Sequence, residues 1–77
     1  MRTSQPLSSL REGQTARVLS VERAGELSRR LLDLGLIAGT PVRCIQKSPA
    51  GDPVAYGIRG AVIALRREQA DAVLVQQ

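Results

Sequence analysis

The sequence predicts a small, mainly β protein: a strongly bent barrel of about five strands, with one short α-helix inserted after the first strand. The chain has 77 residues, enough for one domain, and we expect that domain to span residues 1–77. Glycine and proline interrupt the chain at short intervals, and most of the runs between them have the length of a strand. A single segment has the helical period instead.

Five runs of apolar and β-branched residues indicate the strands, because each has strand length and is bounded by turn residues. Proline is tolerated at the first position of a strand, so Pro41 opens the second run. The segment between the second and third runs contains prolines and a glycine, which favour a turn. One helical turn, at residues 66–70, precedes the last run. The five runs are residues 15–21, 41–47, 54–59, 61–65 and 72–75.

Alternation within the strands predicts which side chains share a face of the sheet. We expect so small a sheet to close into a barrel, since closure leaves few unpaired edges that could aggregate. The residues expected on a common face are Val54, Tyr56 and Ile58 in the third strand, and Ala61, Ile63 and Leu65 in the fourth.

The inserted helix is predicted over residues 25–35. Glu26 lies in its first turn, where a carboxylate complements the helix dipole. Gly35 is at the position where a residue of left-handed conformation commonly ends a helix, and Leu36 can make the hydrophobic contact that accompanies such an end. Pro41 then prevents the helix from resuming. The apolar stripe of the helix consists of Leu27, Leu31 and Leu34.

The residue types present exclude most catalytic chemistry. The chain contains no histidine, phenylalanine or tryptophan, and it has one tyrosine, Tyr56, and one cysteine, Cys44. A histidine-based triad is therefore excluded, as is a zinc site that needs more than one cysteine or histidine from one chain. The glycines occur singly, without the spacing of a phosphate-binding loop. We expect no catalytic residues and no enzyme activity, and we interpret Cys44 as a small apolar filler of a strand.

The same composition indicates the compartment. A lone cysteine cannot form an internal disulfide, which favours a reducing, intracellular setting. The sequence has no apolar run long enough to span a membrane, and its N-terminus lacks the apolar stretch of a signal peptide. We therefore expect a cytoplasmic protein that does not insert into a membrane.

Arginine dominates the charge of the chain. Eleven basic against seven acidic residues give a net charge of +4 and a pI near 10.6, and ten of the eleven bases are arginine. A pI above 9 points toward nucleic acid, but the arginines are scattered, and one aromatic residue cannot build a stacking platform for single strands. Solvated arginines or an anionic protein surface are favoured, and a small nucleic-acid-binding barrel is the alternative.

No cofactor is expected. A dedicated transition-metal site normally uses imidazole or several thiolates, so the sequence assigns no metal ligands. Carboxylates and one thiol would hold a divalent ion only weakly, at the surface or across a dimer contact. The aliphatic residues of the helix leave self-association, and so a homo-oligomer, open.

The helix and the loop after it carry the candidate binding surface. Leu32 lies about 140° around the helix from the start of the apolar stripe, and Leu36 and Ile37 follow in a loop without charge. These residues either complete a small core or gather outside it, as apolar residues do at a partner site. We interpret them as the apolar anchors of a protein-binding surface, with Arg29 and Arg30 as its charged rim.

The segment that contains this helix end resembles a known family. Residues 31–42, with the arginine pair before them, closely resemble the signature of the FeoA family, small proteins of bacterial ferrous iron uptake. The rest of the chain agrees in order and spacing, at residues 7–14, 48–54, 58–66 and 73–75.

The resemblance implies an SH3-like barrel that acts by binding. FeoA-like proteins are thought to assist FeoB, a membrane iron transporter with a cytoplasmic GTP-binding domain. It therefore implies contact with the cytoplasmic part of a FeoB-like transporter, with an effect on its GTPase or transport activity. The same module also forms the C-terminal domain of DtxR-type repressors, so a metal-binding or sensor domain is a further alternative.

Overall fold

The computed structural model describes residues 4–22 and 26–77. These residues form one six-stranded antiparallel sheet, two α-helices and a short 3₁₀ turn at Leu7–Ser9. The strands are β1 Gln5–Pro6, β2 Thr15–Val21, β3 Pro41–Lys47, β4 Val54–Ile58, β5 Ala61–Leu65 and β6 Val73–Gln76, and the helices are α1 Glu26–Asp33 and α2 Arg67–Asp71.

The local predictions agree closely with these elements. The strands β2, β3 and β5 have the predicted bounds, β4 ends one residue earlier than predicted, and β6 is shifted by one residue toward the C-terminus. The helical turn predicted before the last strand is the five-residue helix α2. The strand β1 was missed, because its two residues pair with β6 at the other end of the chain and carry no local pattern. The expectation of a mainly β fold is confirmed.

The prediction that the sheet closes into a barrel is wrong. The strand order is β1-β6-β2-β3-β4-β5, and among the described residues no pairing joins β1 to β5. Irregularities of register at Leu19 and Ile45 accompany the bending of β2 and β3. In the described part of the chain the sheet therefore has two edge strands: β1, whose two residues pair with β6, and β5, which pairs with β4.

The core lies on the concave side of the sheet. Tyr56 is its largest fully buried side chain, and Val54 and Ile58 flank it on the predicted face. The prediction for β5 holds only at Leu65, which is buried, whereas Ile63 is half-buried and Ala61 is exposed. Among the described residues β5 pairs on one side only, and three of its five residues, Ala61, Val62 and Ala64, are exposed.

In the two described ranges, no helix is long and apolar enough to cross a membrane.

Candidate protein-binding surface

The end of α1 is fixed by two hydrogen bonds. The amide of Gly35 donates to the carbonyl of Leu32 at 2.9 Å, and the amide of Leu36 donates to the carbonyl of Leu31 at 3.1 Å. Gly35 has φ 102°, a conformation that glycine adopts without steric cost. This pair of bonds is the Schellman arrangement, and it confirms Gly35 as the residue that ends the helix.

The same arrangement corrects the role of Leu36. Leu36 is fully buried, as is Leu31, the residue that accepts its hydrogen bond. In a Schellman motif the side chain after the glycine packs back against the last turn of the helix. The prediction of Leu36 as an exposed anchor was therefore wrong, and Leu36 belongs to the core.

The other two predicted anchors are exposed. Leu32 is 45% and Ile37 is 44% accessible. Leu34 was predicted to lie in the buried stripe, but it is 37% accessible. It follows the last residue of α1, Asp33, so the helical period no longer determines the direction of its side chain. Leu27 is half-buried against the core. We call Leu32, Leu34 and Ile37 the helix–loop patch.

The two arginines predicted at the rim lie on α1 and are both exposed. Glu26 and Asp33, at the two ends of the helix, are exposed too, so α1 carries as many acidic as basic residues. Arg29 and Arg30 therefore precede the patch in a helix of mixed charge. Their contact with a partner stays a prediction.

A second exposed apolar surface lies on the convex face of the sheet. Val62 on β5 is 65% accessible and pairs with Gly57 on β4, and Ile45 on β3 is 43% accessible. Because Gly57 has no side chain, Ile45 lies over it: a Cβ built on Gly57 would be 2.9 Å from Cδ1 of Ile45. Sequence reasoning missed this surface, although the alternation in β4 and β5 places Gly57 and Val62 opposite the buried face.

Three of the titratable groups are engaged in the fold, either by burial or by hydrogen bonds to the backbone. Cys44 is fully buried, which confirms it as a filler of β3, and burial raises the pKa of its thiol. Glu12 and Asp52 accept hydrogen bonds from the backbone amides of Lys47 and Arg67 at 2.6 and 2.9 Å. Over the described part of the chain, no three histidine, cysteine or acidic residues cluster as they would at a metal site.

An antiparallel sheet of six strands, with a helix inserted between β2 and β3, is the architecture of a small SH3-like domain. The FeoA domain family matches residues 5–77, and the chain belongs to that family. The resemblance carried by residues 31–42 is thus confirmed.

Three relatives show what the chain is similar to. Iron(II) transport protein A from Clostridium thermocellum is 35% identical, with a TM-score of 0.90 over 94% of this chain and 44% of that one. FeoA from Stenotrophomonas maltophilia, solved with zinc and described as a prokaryotic SH3 domain protein, is 32% identical, with a TM-score of 0.84 over 95% of each chain.

The third relative is a fusion protein of Porphyromonas gingivalis that joins Fe(2+) transport protein A to the Fe(2+) transporter FeoB. It is 36% identical over 70 residues, which are 91% of this chain and 8% of the fusion protein. The chain therefore matches a small part of that relative.

Proposed function

We propose that the protein is a non-enzymatic, cytoplasmic accessory protein of ferrous iron uptake, and that it binds the cytoplasmic part of a FeoB-like membrane transporter. The observation that carries the proposal is the Porphyromonas gingivalis fusion, in which a segment similar to this chain is part of the same polypeptide as the transporter. Fusion raises the effective concentration of each protein near the other, which is an advantage for two proteins that act together.

The helix–loop patch is the contact surface we propose. Its aliphatic side chains are exposed, but their backbone is held by the Schellman bonds and by the buried Leu36 beneath it. A rigid apolar surface loses little conformational entropy when a partner covers it. Arg29 and Arg30 would contribute charge at the rim, where it acts more on the rate of association and on specificity than on affinity.

Binding, without chemistry, is the role that suits these residues. The patch and its rim offer aliphatic and guanidinium groups, and neither is a nucleophile or a general base at neutral pH. An effect on transport would then pass through the partner, whose GTPase rate is the quantity to measure when the two proteins are mixed.

The test is an affinity measurement between the chain and the purified cytoplasmic domain of the transporter, by pull-down and calorimetry. Leu32→Asp and Ile37→Asp should each weaken binding by at least about tenfold, because each places a charge at the centre of a contact. The matched control is Leu19→Asp, which alters an aliphatic residue of similar exposure on β2 and should bind like the parent. Undiminished binding by folded Leu32→Asp and Ile37→Asp would remove the patch from the proposal.

Metal binding is a second candidate, favoured by one observation: the Stenotrophomonas maltophilia relative was solved with zinc. Equilibrium dialysis with ferrous and zinc ions decides it. Stoichiometric, micromolar binding by the isolated chain would support a metal carrier or sensor, and millimolar binding would leave only weak surface contacts.

A further inference from the structure

We infer a second binding site, on the free edge of β5, which takes up an extended acidic segment of another protein as an additional antiparallel strand. The site is separate from the helix–loop patch and goes beyond the proposed function, since it requires no particular transporter.

The first observation is that β5 ends the sheet. Among the described residues it pairs only with β4. The two strands are joined by Arg59 and Gly60, both at positive φ, and this two-residue turn makes Ile58 and Ala61 a hydrogen-bonded pair. Bonded and non-bonded pairs alternate along an antiparallel ladder. The N–H and C=O groups of Val62 and Ala64 therefore point away from β4, toward the open edge.

The second observation is that, within residues 4–22 and 26–77, this edge lacks the usual protection. Proteins commonly shield an edge strand by making it very short or by placing proline or charge on it. The opposite edge strand, β1, is protected in two of these ways: it is only two residues long, and one of them is Pro6. By contrast, β5 has five residues, all aliphatic. An uncharged edge of this length is a template for strand addition.

The third observation concerns the convex face beside the edge. Ala55 and Ala64 are paired across β4 and β5, and together with Gln46 and Pro53 they line a shallow depression. Because side chains alternate along a strand, every second residue of an added strand would lie over this face. The small side chains leave room for aliphatic residues at those positions.

Charge selects the occupant. Residues 41–71 have a net charge of +2, since they contain five basic residues, Arg43, Lys47, Arg59, Arg66 and Arg67, and three acidic residues, Asp52, Glu68 and Asp71, which lie beside Arg66. Arg59 and Arg66 are exposed at the two ends of β5, and Asp52 already accepts a hydrogen bond from the backbone amide of Arg67. An added strand with acidic residues at both ends would meet an arginine at each end.

A second copy of the chain fits the edge poorly. Antiparallel pairing of β5 with itself would place Arg59 of each copy beside Arg66 of the other, and like charges facing one another across an interface oppose association. Nucleic acid is disfavoured because the face has no aromatic side chain for stacking.

The probe is the synthetic peptide acetyl-Asp-Glu-Val-Thr-Val-Thr-Val-Asp-Glu-amide, added to isotope-labelled full-length protein. We expect chemical-shift changes centred on β5, and slower hydrogen exchange at the amides of Val62 and Ala64, which are free before the peptide binds. Two matched peptides separate the contribution of charge from that of backbone hydrogen bonds. One has lysine in place of every acidic residue. The other is N-methylated at alternate residues, so that it cannot form the hydrogen bonds of an added strand.

Both altered peptides should bind at least about tenfold more weakly, because one loses the charge match and the other the backbone hydrogen bonds. On the protein side, Arg66→Glu and Arg59→Asp should have the same effect, aspartate being chosen because it tolerates positive φ. Arg11→Glu, an exposed arginine outside the three strands, should leave the affinity unchanged.

Five results would overturn the inference. Three concern the peptides: equal binding of the lysine peptide, unchanged binding of the N-methylated peptide, and no binding of the acidic peptide up to its solubility limit. The fourth is protection of Val62 and Ala64 by protein concentration alone, which would identify a second copy. The fifth is displacement of the peptide by a DNA oligonucleotide that binds more tightly. None of these results depends on Leu32 or Ile37, so the fate of the transporter proposal is decided separately.

Discussion

Gly35 lies against Ile58: a Cβ built on Gly35 would stand 3.4 Å from Cγ2 of Ile58. The same Cβ would be 3.6 Å from Cδ of Arg59, in the turn between β4 and β5. The end of α1 is thus seated on the turn that begins the β5 edge. The helix–loop patch and the edge site remain separate surfaces, and this contact connects the elements that carry them.

The first prediction separates backbone strain from this contact. Gly35→Ala should lower the free energy of unfolding less than Gly39→Ala does, because its new methyl group gains van der Waals contact with Ile58. Both residues have positive φ, 102° and 90°, so alanine is strained at either, by about 1–2 kcal/mol. Only at Gly35 does the new methyl group also meet a neighbour, since nothing lies within 4 Å of a Cβ on Gly39. Urea denaturation of the two variants measures the difference, and equal losses would mean that the contact with Ile58 adds nothing.

The second prediction concerns neighbours in the chain with opposite roles. Leu36→Ala should cost about 2–5 kcal/mol of stability, because it opens a cavity beneath the helix. Ile37→Ala should cost less than about 1 kcal/mol, because its side chain is 44% accessible. Thermal unfolding checks both values. The order should reverse for binding to the transporter domain, with Ile37→Ala weakening it and folded Leu36→Ala retaining it.

The residues at the end of α1 also show how much of the candidate site could be predicted from the sequence. The angle of Leu32 around the helix and the uncharged loop at Ile37 were local features, and both side chains are exposed as predicted. The glycine that ends the helix was predicted as well. Leu36 allowed two interpretations, and the Schellman bonds, which draw it under the helix, decide between them.

The errors in the fold have a different origin. The pairing of Gln5 with Val75 joins residues from opposite ends of the chain, and no periodicity in either segment predicts that pairing. The open edge at β5 follows from that topology, and with it the exposure of Ala61. Local patterns thus placed the strands along the chain, while the order of the strands in the sheet, which decides the exposed edge, depended on long-range pairing.

The third prediction concerns the hydroxyl of Tyr56. It is buried, and within the described residues it has no hydrogen-bond partner. A buried polar group without a partner costs free energy that its removal recovers. Tyr56→Phe should therefore raise the free energy of unfolding by about 1 kcal/mol, whereas Tyr56→Ala should lower it by about 3–5 kcal/mol, because the ring fills the core. Chemical denaturation measures both, and a loss of stability in the phenylalanine variant would show that the hydroxyl is satisfied.

The fourth prediction follows from the pKa of the same group. Burial, with smaller contributions from Cys44 and Asp71, raises the pKa of Tyr56 from 10.0 to about 12. Above pH 10 the unfolded chain loses the phenol proton while the folded chain keeps it, so the unfolded state binds fewer protons and stability falls as pH rises. The contribution of Tyr56 is complete below pH 10 and is lost through about pH 12, with an upper limit of about 3 kcal/mol.

Two measurements check this fourth prediction. Because the chain has one tyrosine, its tyrosinate absorbance reports this group alone, and it should appear near pH 12 in the folded protein and near pH 10 in denaturant. Other groups titrate in the same range, but the difference in stability between the parent and Tyr56→Phe isolates the phenol. That difference should change by up to about 3 kcal/mol between pH 9 and pH 12, in favour of the variant. A constant difference, with tyrosinate forming near pH 10 in the folded protein, would place the hydroxyl in contact with water.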